Sequence, residues 1–178
     1  DEKYWTVKDG MIVGGSLTEK VKWNTFLSTE KSYQNFELTF KVRMVNGSGF
    51  ANSGMQVRSQ RKGRSMAGYQ VDIGKGYWGK MYDEHRRNKM IGHPVDPAAL
   101  AKMVKEEGWN DYKIICNGPR IQSWINGVAA LDYTEKDNNI PLDGVIGLQA
   151  HSGGKFLVQL KDVSIKELPP TKGAPTWP

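Results

Sequence analysis

An alternating stretch near the middle of the chain decides the fold class: it reads YQVDI and covers residues 69–73. Successive side chains of a strand point to opposite faces of a sheet, so Gln70 and Asp72 are expected on one face and the apolar residues on the other. Gly, Asn, Asp and Pro separate similar stretches along the chain, which is typical of an all-β protein. These stretches are residues 35–45, 53–59, 111–116, 121–125, 144–150 and 156–168.

Many short strands at this spacing indicate a β-sandwich or jelly roll of two antiparallel sheets. Asn126-Gly127 marks a hairpin, because both residues tolerate positive φ. One inserted helix is predicted in residues 96–108, where Asp96 suits the N-cap, Pro97 the first turn and Gly108 the end. Its apolar positions are expected to pack on the sandwich; they are Leu100, Met103 and Val104.

The length and composition are those of one globular domain. The chain has 178 residues, of which 38% are hydrophobic and 25% charged. Residues 169–178 include four prolines, which a sheet does not accommodate. We therefore predict a single domain over residues 1–168, followed by an extended tail.

Several classes of protein are disfavoured by the sequence. The 25 Lys and Arg exceed the 19 Asp and Glu, but the basic runs are broken by polar or acidic residues, so no nucleic-acid partner is expected. No stretch approaches the roughly 18 apolar residues of a membrane span. There is no phosphate-binding loop, GxGxxG, HExxH, GxSxG or zinc-type cysteine cluster. The one cysteine, Cys116, lies in an apolar strand and is expected to be buried.

Polar side chains recur on one face of three predicted strands. In MQVR, residues 55–58, Gln56 and Arg58 share a face, and in LQAH, residues 148–151, Gln149 and His151 do so. Together with residues 69–73 they would form a polar floor if the strands are neighbours. Any solvent-facing strand alternates in this way, but planar amide, guanidinium, carboxyl and imidazole groups suit directional hydrogen bonds to sugar hydroxyls.

The densest polar segment is residues 76–88, GYWGKMYDEHRRN. It combines aromatic rings, which stack on sugar C–H faces, with groups that bind hydroxyls. A surface hairpin with incidental ion pairs is the alternative. The candidate contact residues in this segment are Trp78, Tyr82, Glu84, Arg86 and Arg87.

Seven ordered blocks carry a resemblance to a known family. They are residues 52–59 (NSGMQVRS), 68–74 (GYQVDIG), 78–84 (WGKMYDE), 107–112 (EGWNDY), 124–127 (WING), 147–151 (GLQAH) and 160–165 (LKDVSI). In this order they resemble the 3-keto-disaccharide hydrolase family. The resemblance implies a concanavalin-like fold with a carbohydrate ligand on the concave sheet, and a periplasmic or extracellular location.

The family resemblance also implies cleavage of glycosides oxidised at C3. Such a reaction needs a base for the C2 proton, an acid for the leaving group and a stabiliser of the enolate. Glu84 or Asp72 is the expected base and His151 the acid. The expected substrate contacts are Gln56, Arg58, Gln70, Trp78, Tyr82, Arg86, Arg87 and Gln149, with an arginine at the enolate.

Two alternatives remain open from the sequence. Asp72 and Glu84 could form the carboxylate pair of a direct glycosidase, whose mechanism depends on their separation. A non-catalytic carbohydrate-binding module is the other alternative, because one fold serves several functions. No cofactor is expected and no metal is assigned: oxygen ligands occur in residues 137–139 and 83–84, but neither spacing matches a calcium loop.

Overall fold

The computed structural model describes residues 2–178 and forms two antiparallel sheets. After a 3₁₀ turn, Glu2–Tyr4, the elements are β1 (Trp5–Lys8), β2 (Met11–Ser16), β3 (Thr25–Ser28), β4 (Phe36–Gly49), β5 (Ser53–Lys62), β6 (Ser65–Ile73), β7 (Met81–Glu84), β8 (Lys89–Gly92), α1 (Pro97–Met103), β9 (Asn110–Asn117), β10 (Arg120–Ile125), β11 (Val128–Thr134), β12 (Val145–Ala150) and β13 (Gly154–Glu167). The seven-stranded sheet has the order β1-β2-β13-β4-β9-β10-β11. The six-stranded sheet has the order β3-β12-β5-β6-β7-β8.

This architecture confirms the predicted all-β fold of two antiparallel sheets with one short helix. Each of the seven stretches predicted from alternation coincides with a strand. The Asn126-Gly127 turn joins β10 to β11 with φ values of 49° and 82°, in the left-handed region that a type I′ turn requires.

The core lies between the two sheets and is built from the apolar face of each strand. In β6 the inward residues Tyr69, Val71 and Ile73 are fully buried, and Phe40 of β4 stacks on Tyr112 of β9 with ring centroids 5.2 Å apart. Burying one such large side chain contributes about 1.5–3 kcal/mol to folding. Cys116 is buried in this core, as expected, and burial raises the pKa of its thiol to about 11.

The helix begins as predicted but ends early. The Asp96 side chain caps it by accepting a 2.9 Å hydrogen bond from the Ala99 N–H. It ends at Met103 rather than near Gly108, because the Asn110 side chain both accepts from the N–H and donates to the carbonyl of Lys105. The prediction that Met103 packs on the sandwich is wrong, since its side chain is exposed, whereas Leu100 is buried and Val104 partly so.

Residues 169–178 contain neither helix nor strand, and they lie against the domain. Asn35 Nδ2 donates to the Pro169 carbonyl at 2.7 Å, and Trp177 Nε1 donates to the Arg58 carbonyl at 3.1 Å. Within residues 2–178, none of the helices has the length and hydropathy needed to cross a membrane.

Arg58 does not share a face with Gln56, so this prediction is wrong. A bulge follows Val57, and Arg58 adopts φ 49°, which turns its side chain towards the interior. There the guanidinium is buried and donates to the carbonyls of Gln34 and Gly118 at 2.7 and 2.6 Å, and to the Asn35 side chain at 2.8 Å. Arg58 therefore connects β5 to the segment before β4 and to the β9–β10 turn.

Replacing this buried guanidinium should destabilise the fold. Arg58→Met leaves the buried carbonyl groups without donors, and we expect the free energy of unfolding to fall by about 3 kcal/mol. Urea unfolding followed by tryptophan fluorescence measures it. The matched control is Arg120→Met, which removes an exposed ion pair with Asp132 and should lower the free energy of unfolding much less. Equal losses in both variants would contradict a structural role for Arg58.

Candidate functional site

The polar floor predicted from the sequence lies on the outer face of the six-stranded sheet, the face directed away from the seven-stranded sheet. β12, β5, β6 and β7 are consecutive neighbours in this sheet. Their register aligns Gln149, Gly54 and Asp72 in one row, and Gln56, Gln70 and Tyr82 in the next. Residues from three distant parts of the sequence are thus brought onto one surface.

A chain of buried hydrogen bonds connects the floor. Gln56 Nε2 donates to Gln70 Oε1 at 2.9 Å. The Gln70 amide nitrogen donates to Asp72 Oδ1 at 3.0 Å and to Gln149 Oε1 at 3.2 Å. Ser59 Oγ donates to Gln56 Oε1 at 2.6 Å. These contacts hold the amide groups in fixed orientations beneath the surface.

Gly54 leaves the space in which the Gln70 side chain lies. A Cβ atom at this position would stand 2.4 Å from Gln70 Cγ and 2.8 Å from its Nε2. Any larger residue would displace the Gln70 amide from its two acceptors. The space that the Gln70 side chain needs in the floor therefore explains why residue 54 is a glycine.

An open pocket of about 410 Å³ lies above this floor. Of the residues predicted from the sequence, five line it: Gln70, Asp72, Tyr82, Glu84 and His151. Gln56 and Gln149 are fully buried and reach the pocket only through their hydrogen bonds to Gln70. The three proton-exchanging residues that the sequence nominated therefore share one cavity.

Four predicted contact residues lie elsewhere: Arg58, Trp78, Arg86 and Arg87. Trp78 is buried beside α1 and donates from its indole nitrogen to Glu106 at 3.2 Å. The chain turns after β7, so Arg86 and Arg87 fold back to Asp83, whose side chain is on the inner face. Arg86 and Arg87 were nominated from the composition of residues 76–88, which does not show that the chain turns after β7 and directs them to Asp83.

Five lining residues were not nominated from the sequence: Asn24, Phe50, Asn52, Tyr77 and Met90. Asn52 and Tyr77 stand inside sequence segments that were singled out, at positions flanking the predicted strands. The others belong to a loop or to β8, and no local pattern marks them. Phe50 packs edge-on against the rings of Tyr77 and His151, at centroid distances of 5.8 and 4.9 Å, and forms an aromatic wall.

Burial controls the acidity of the two carboxyl groups. Desolvation raises the pKa of Asp72 to about 7; the Gln70 hydrogen bond opposes this, and the negative charge of Glu84 adds to it. The pKa of Glu84 is also raised by desolvation, while His85 and His151 act in the opposite direction. Near neutral pH the pocket therefore holds a carboxyl group that can either donate or accept a proton.

The orientation of the His151 ring follows from its contact with the backbone. Its Nδ1 lies 2.8 Å from the Ser152 carbonyl oxygen. A carbonyl can only accept, so Nδ1 carries a hydrogen and Nε2 is the nitrogen left for a ligand.

Two buried amide nitrogens in this region have no hydrogen-bond partner, those of Asn52 and Gln149. Both residues are at least nine-tenths buried, and Asn52 lines the pocket. A buried donor without an acceptor costs about 1–3 kcal/mol, which a ligand oxygen would offset. Among residues 2–178, no group of three or more His, Cys, Asp or Glu side chains is placed to hold a metal ion.

The raised pKa of Asp72 should appear in the pH dependence of stability. The folded protein holds this proton up to about pH 7, whereas an unfolded Asp loses it near pH 4. This contribution to the free energy of unfolding is complete below pH 4 and is lost as the pH rises to 7. Asp72→Asn should therefore gain stability over the native chain across this window, by at least about 1 kcal/mol.

Urea unfolding of both proteins between pH 4 and pH 8 measures this difference. Asp132→Asn, at an exposed carboxylate, is the control. A constant difference between Asp72→Asn and the native chain at all these pH values would contradict the raised pKa.

Solved structures with the same fold come from several kinds of protein. A proposed glycosyl hydrolase from Parabacteroides distasonis ATCC 8503 superposes with a TM-score of 0.68 at 23% identity, covering 94% of this chain and 92% of the other. The carbohydrate-binding module CBM66 from Bacillus subtilis has a TM-score of 0.67 at 14% identity, with 92% and 91% covered. A Bacillus subtilis protein with a galectin-like fold has a TM-score of 0.68 at 9% identity, with 94% and 88% covered. At these identities the likeness establishes the fold alone.

Sequence comparison identifies the family. No curated protein matches the chain significantly. The family model described as a 3-keto-alpha-glucoside-1,2-lyase-like domain matches residues 1–166, which is nearly the whole chain. The protein therefore belongs to the 3-keto-alpha-glucoside-1,2-lyase-like domain family.

Proposed function

We propose that this protein cleaves glycosides that carry a ketone at C3, by elimination followed by hydration. The observation that carries this proposal is the meeting of Asp72, Glu84 and His151 in one pocket, which the unpaired amide donor of Asn52 also lines. Family membership supports a glycoside substrate. The pocket supports proton-transfer chemistry, because the pKa of its Asp72 carboxyl group is raised to about 7 and two further ionisable side chains, Glu84 and His151, line the same cavity.

The proposed reaction follows from the acidity of the hydrogen on C2. The C3 ketone stabilises the carbanion at C2 as an enolate, so a base can remove this proton. The enolate electrons then form a double bond between C1 and C2, and the C1 substituent leaves with a proton from an acid. Water adds at C1, C2 regains a proton, and the products are a free 3-keto sugar and an alcohol.

Asp72 is the base that the site supports best. Its carboxyl group lies on the floor, is nearly fully buried, and has a pKa near the working range of a neutral-pH enzyme. His151 presents Nε2 to the leaving group and is assigned the role of acid in its imidazolium form, in which both Nδ1 and Nε2 carry a hydrogen. Glu84 interacts electrostatically with His151 and with Asp72, and it is the alternative base.

An amide group, not an arginine, is proposed to stabilise the enolate oxygen. Arg58, Arg86 and Arg87 are engaged away from the pocket. The amide nitrogen of Asn52, which lines the pocket, is a buried donor without a partner in the protein. A hydrogen-bond donor that is already oriented in a site with little water stabilises a developing negative charge more strongly than a donor in bulk water does.

Elimination fits the register better than direct hydrolysis by two carboxylates. Glu84 pairs with Gly68, four residues from Asp72 along β6, which corresponds to roughly 13 Å along the strand direction. Direct mechanisms need carboxyl groups about 5 Å or about 6.5–9.5 Å apart, so both side chains would have to lean towards each other. Elimination sets no such requirement.

A non-catalytic carbohydrate-binding module is the second candidate. The aromatic wall of Phe50 and Tyr77, together with Tyr82 in the floor, is suited to stacking on sugar rings. A buried carboxyl group with a raised pKa is costly, however, and binding alone does not require it. We therefore rank the enzyme first.

Turnover of a 3-keto-glucoside and of its unoxidised parent tests the proposal. We expect product release from the keto compound alone. Asp72→Asn should lower kcat by about 10²- to 10⁴-fold, because general-base catalysis is lost while the hydrogen bond from Gln70 is kept. Glu84→Gln, measured in parallel, should lower it less, and Asp132→Asn, at an exposed carboxylate, should leave it unchanged.

Two results would contradict the proposal. Hydrolysis of the unoxidised parent would favour a direct glycosidase. Binding of sugars by a folded protein without turnover of either compound would favour the binding module.

A further inference from the structure

A second pocket lies on the opposite side of the molecule, on the outer face of the seven-stranded sheet. Its volume is about 530 Å³. We call it the Trp124 pocket, and its outward side chains are Thr39, Lys41, Asp111, Lys113, Trp124 and Asp162. It shares no residue with the candidate active site.

The register of four strands builds this surface. Lys161 of β13, Lys41 of β4 and Asp111 of β9 are direct cross-strand neighbours. Lys113 of β9 pairs with Trp124 of β10 in the next outward row. Strand alternation thus collects basic side chains and an indole ring on a surface that the core does not require.

Two tryptophans on this face are covered by cations. Lys113 Nζ lies 4.9 Å from the centroid of the Trp124 ring. Beside the pocket, Trp109 lies between Arg43 and Lys161. The Arg43 Cζ and the Lys161 Nζ are 5.0 and 4.2 Å from the centroid of its ring. At partly exposed sites such contacts contribute only about 0.5–1 kcal/mol, so a ligand could displace a flexible lysine from an aromatic face at little cost.

The basic groups of this face are incompletely neutralised. Lys41 Nζ is paired with Asp111 at 2.6 Å, and the carboxylate of Asp162, which also lines the pocket, interacts electrostatically with Lys41. Across the described chain, residues 2–178, no carboxylate lies within ion-pair distance of Arg43, Lys113 or Lys161. Lys161 also stands directly opposite Lys41, and like charges in that arrangement repel. The basic side chains of this face are Lys41, Arg43, Lys113 and Lys161, and its acidic ones are Asp111 and Asp162, so a bound anionic group would meet an excess of positive charge.

We propose that the Trp124 pocket binds acidic saccharides, in which carboxylates are carried on pyranose rings. The ring C–H face contacts Trp124, and the carboxylates bind Lys113 and Lys161. An indole ring with adjacent ammonium groups can bind both parts of a uronic acid, its sugar ring and its carboxylate. This site is independent of the reaction proposed above, and it would hold the protein on an acidic polysaccharide while the other face stays free.

The proposal is tested by measuring the binding of three polymers: polygalacturonate, its neutral methyl ester and polyglutamate. The ester keeps the sugar rings without the charge, and polyglutamate keeps the charge without the rings. We expect polygalacturonate to bind, and the other two to bind at least about tenfold more weakly. Trp124→Ala and the surface substitutions Lys113→Ala and Lys161→Ala should each weaken binding of polygalacturonate several-fold. Binding should also weaken with added salt, because the cations are near the surface.

Arg120→Ala is the control, since this exposed arginine on β10 is paired with Asp132. Equal binding of polyglutamate would overturn the proposal, because it would indicate attraction by charge alone. Two further results would also overturn the proposal. One is that polygalacturonate does not bind; the other is that Tyr82→Ala in the other pocket abolishes its binding while Lys113→Ala leaves binding intact.

Discussion

The hydrogen bonds made by the Gln70 side chain are the interaction on which the candidate site depends. One buried amide bridges β5, β6 and β12, because it accepts from Gln56 and donates to both Asp72 and Gln149. A buried network is favourable only when its members are satisfied, and then it fixes the position of each group. The floor is rigid at its centre, and Gly54 is required there to make room for it.

This network also explains how a carboxyl group can be kept beneath a pocket. Burial disfavours the ionised form of Asp72, and the hydrogen bond from Gln70 returns part of the lost stabilisation. The balance leaves a group that titrates near neutral pH. The unpaired amide nitrogen of Asn52 is a second buried group at this pocket, and its cost in the free protein is recovered when an oxygen of the ligand approaches it.

The fold and the centre of the site were predictable because both follow from strand alternation. Gln70, Asp72 and Gln149 lie in regular strand segments, so period two placed them correctly. Arg58 failed because a bulge with positive φ reverses the facing of a single residue, and this is not visible in the residue types. Arg86 was misplaced because the chain turns before it, and Phe50 was missed because only tertiary packing brings that loop to His151.

Whether the C2 hydrogen is removed during catalysis tests the central claim most directly. Cleavage of a 3-keto-glucoside in D₂O, followed by NMR at early times and corrected for exchange without enzyme, measures deuterium at C2 of the released sugar. The account predicts one deuterium at C2 for each molecule cleaved. Release of a sugar that keeps its original C2 hydrogen would contradict elimination and would mean that the glycosidic bond is broken directly.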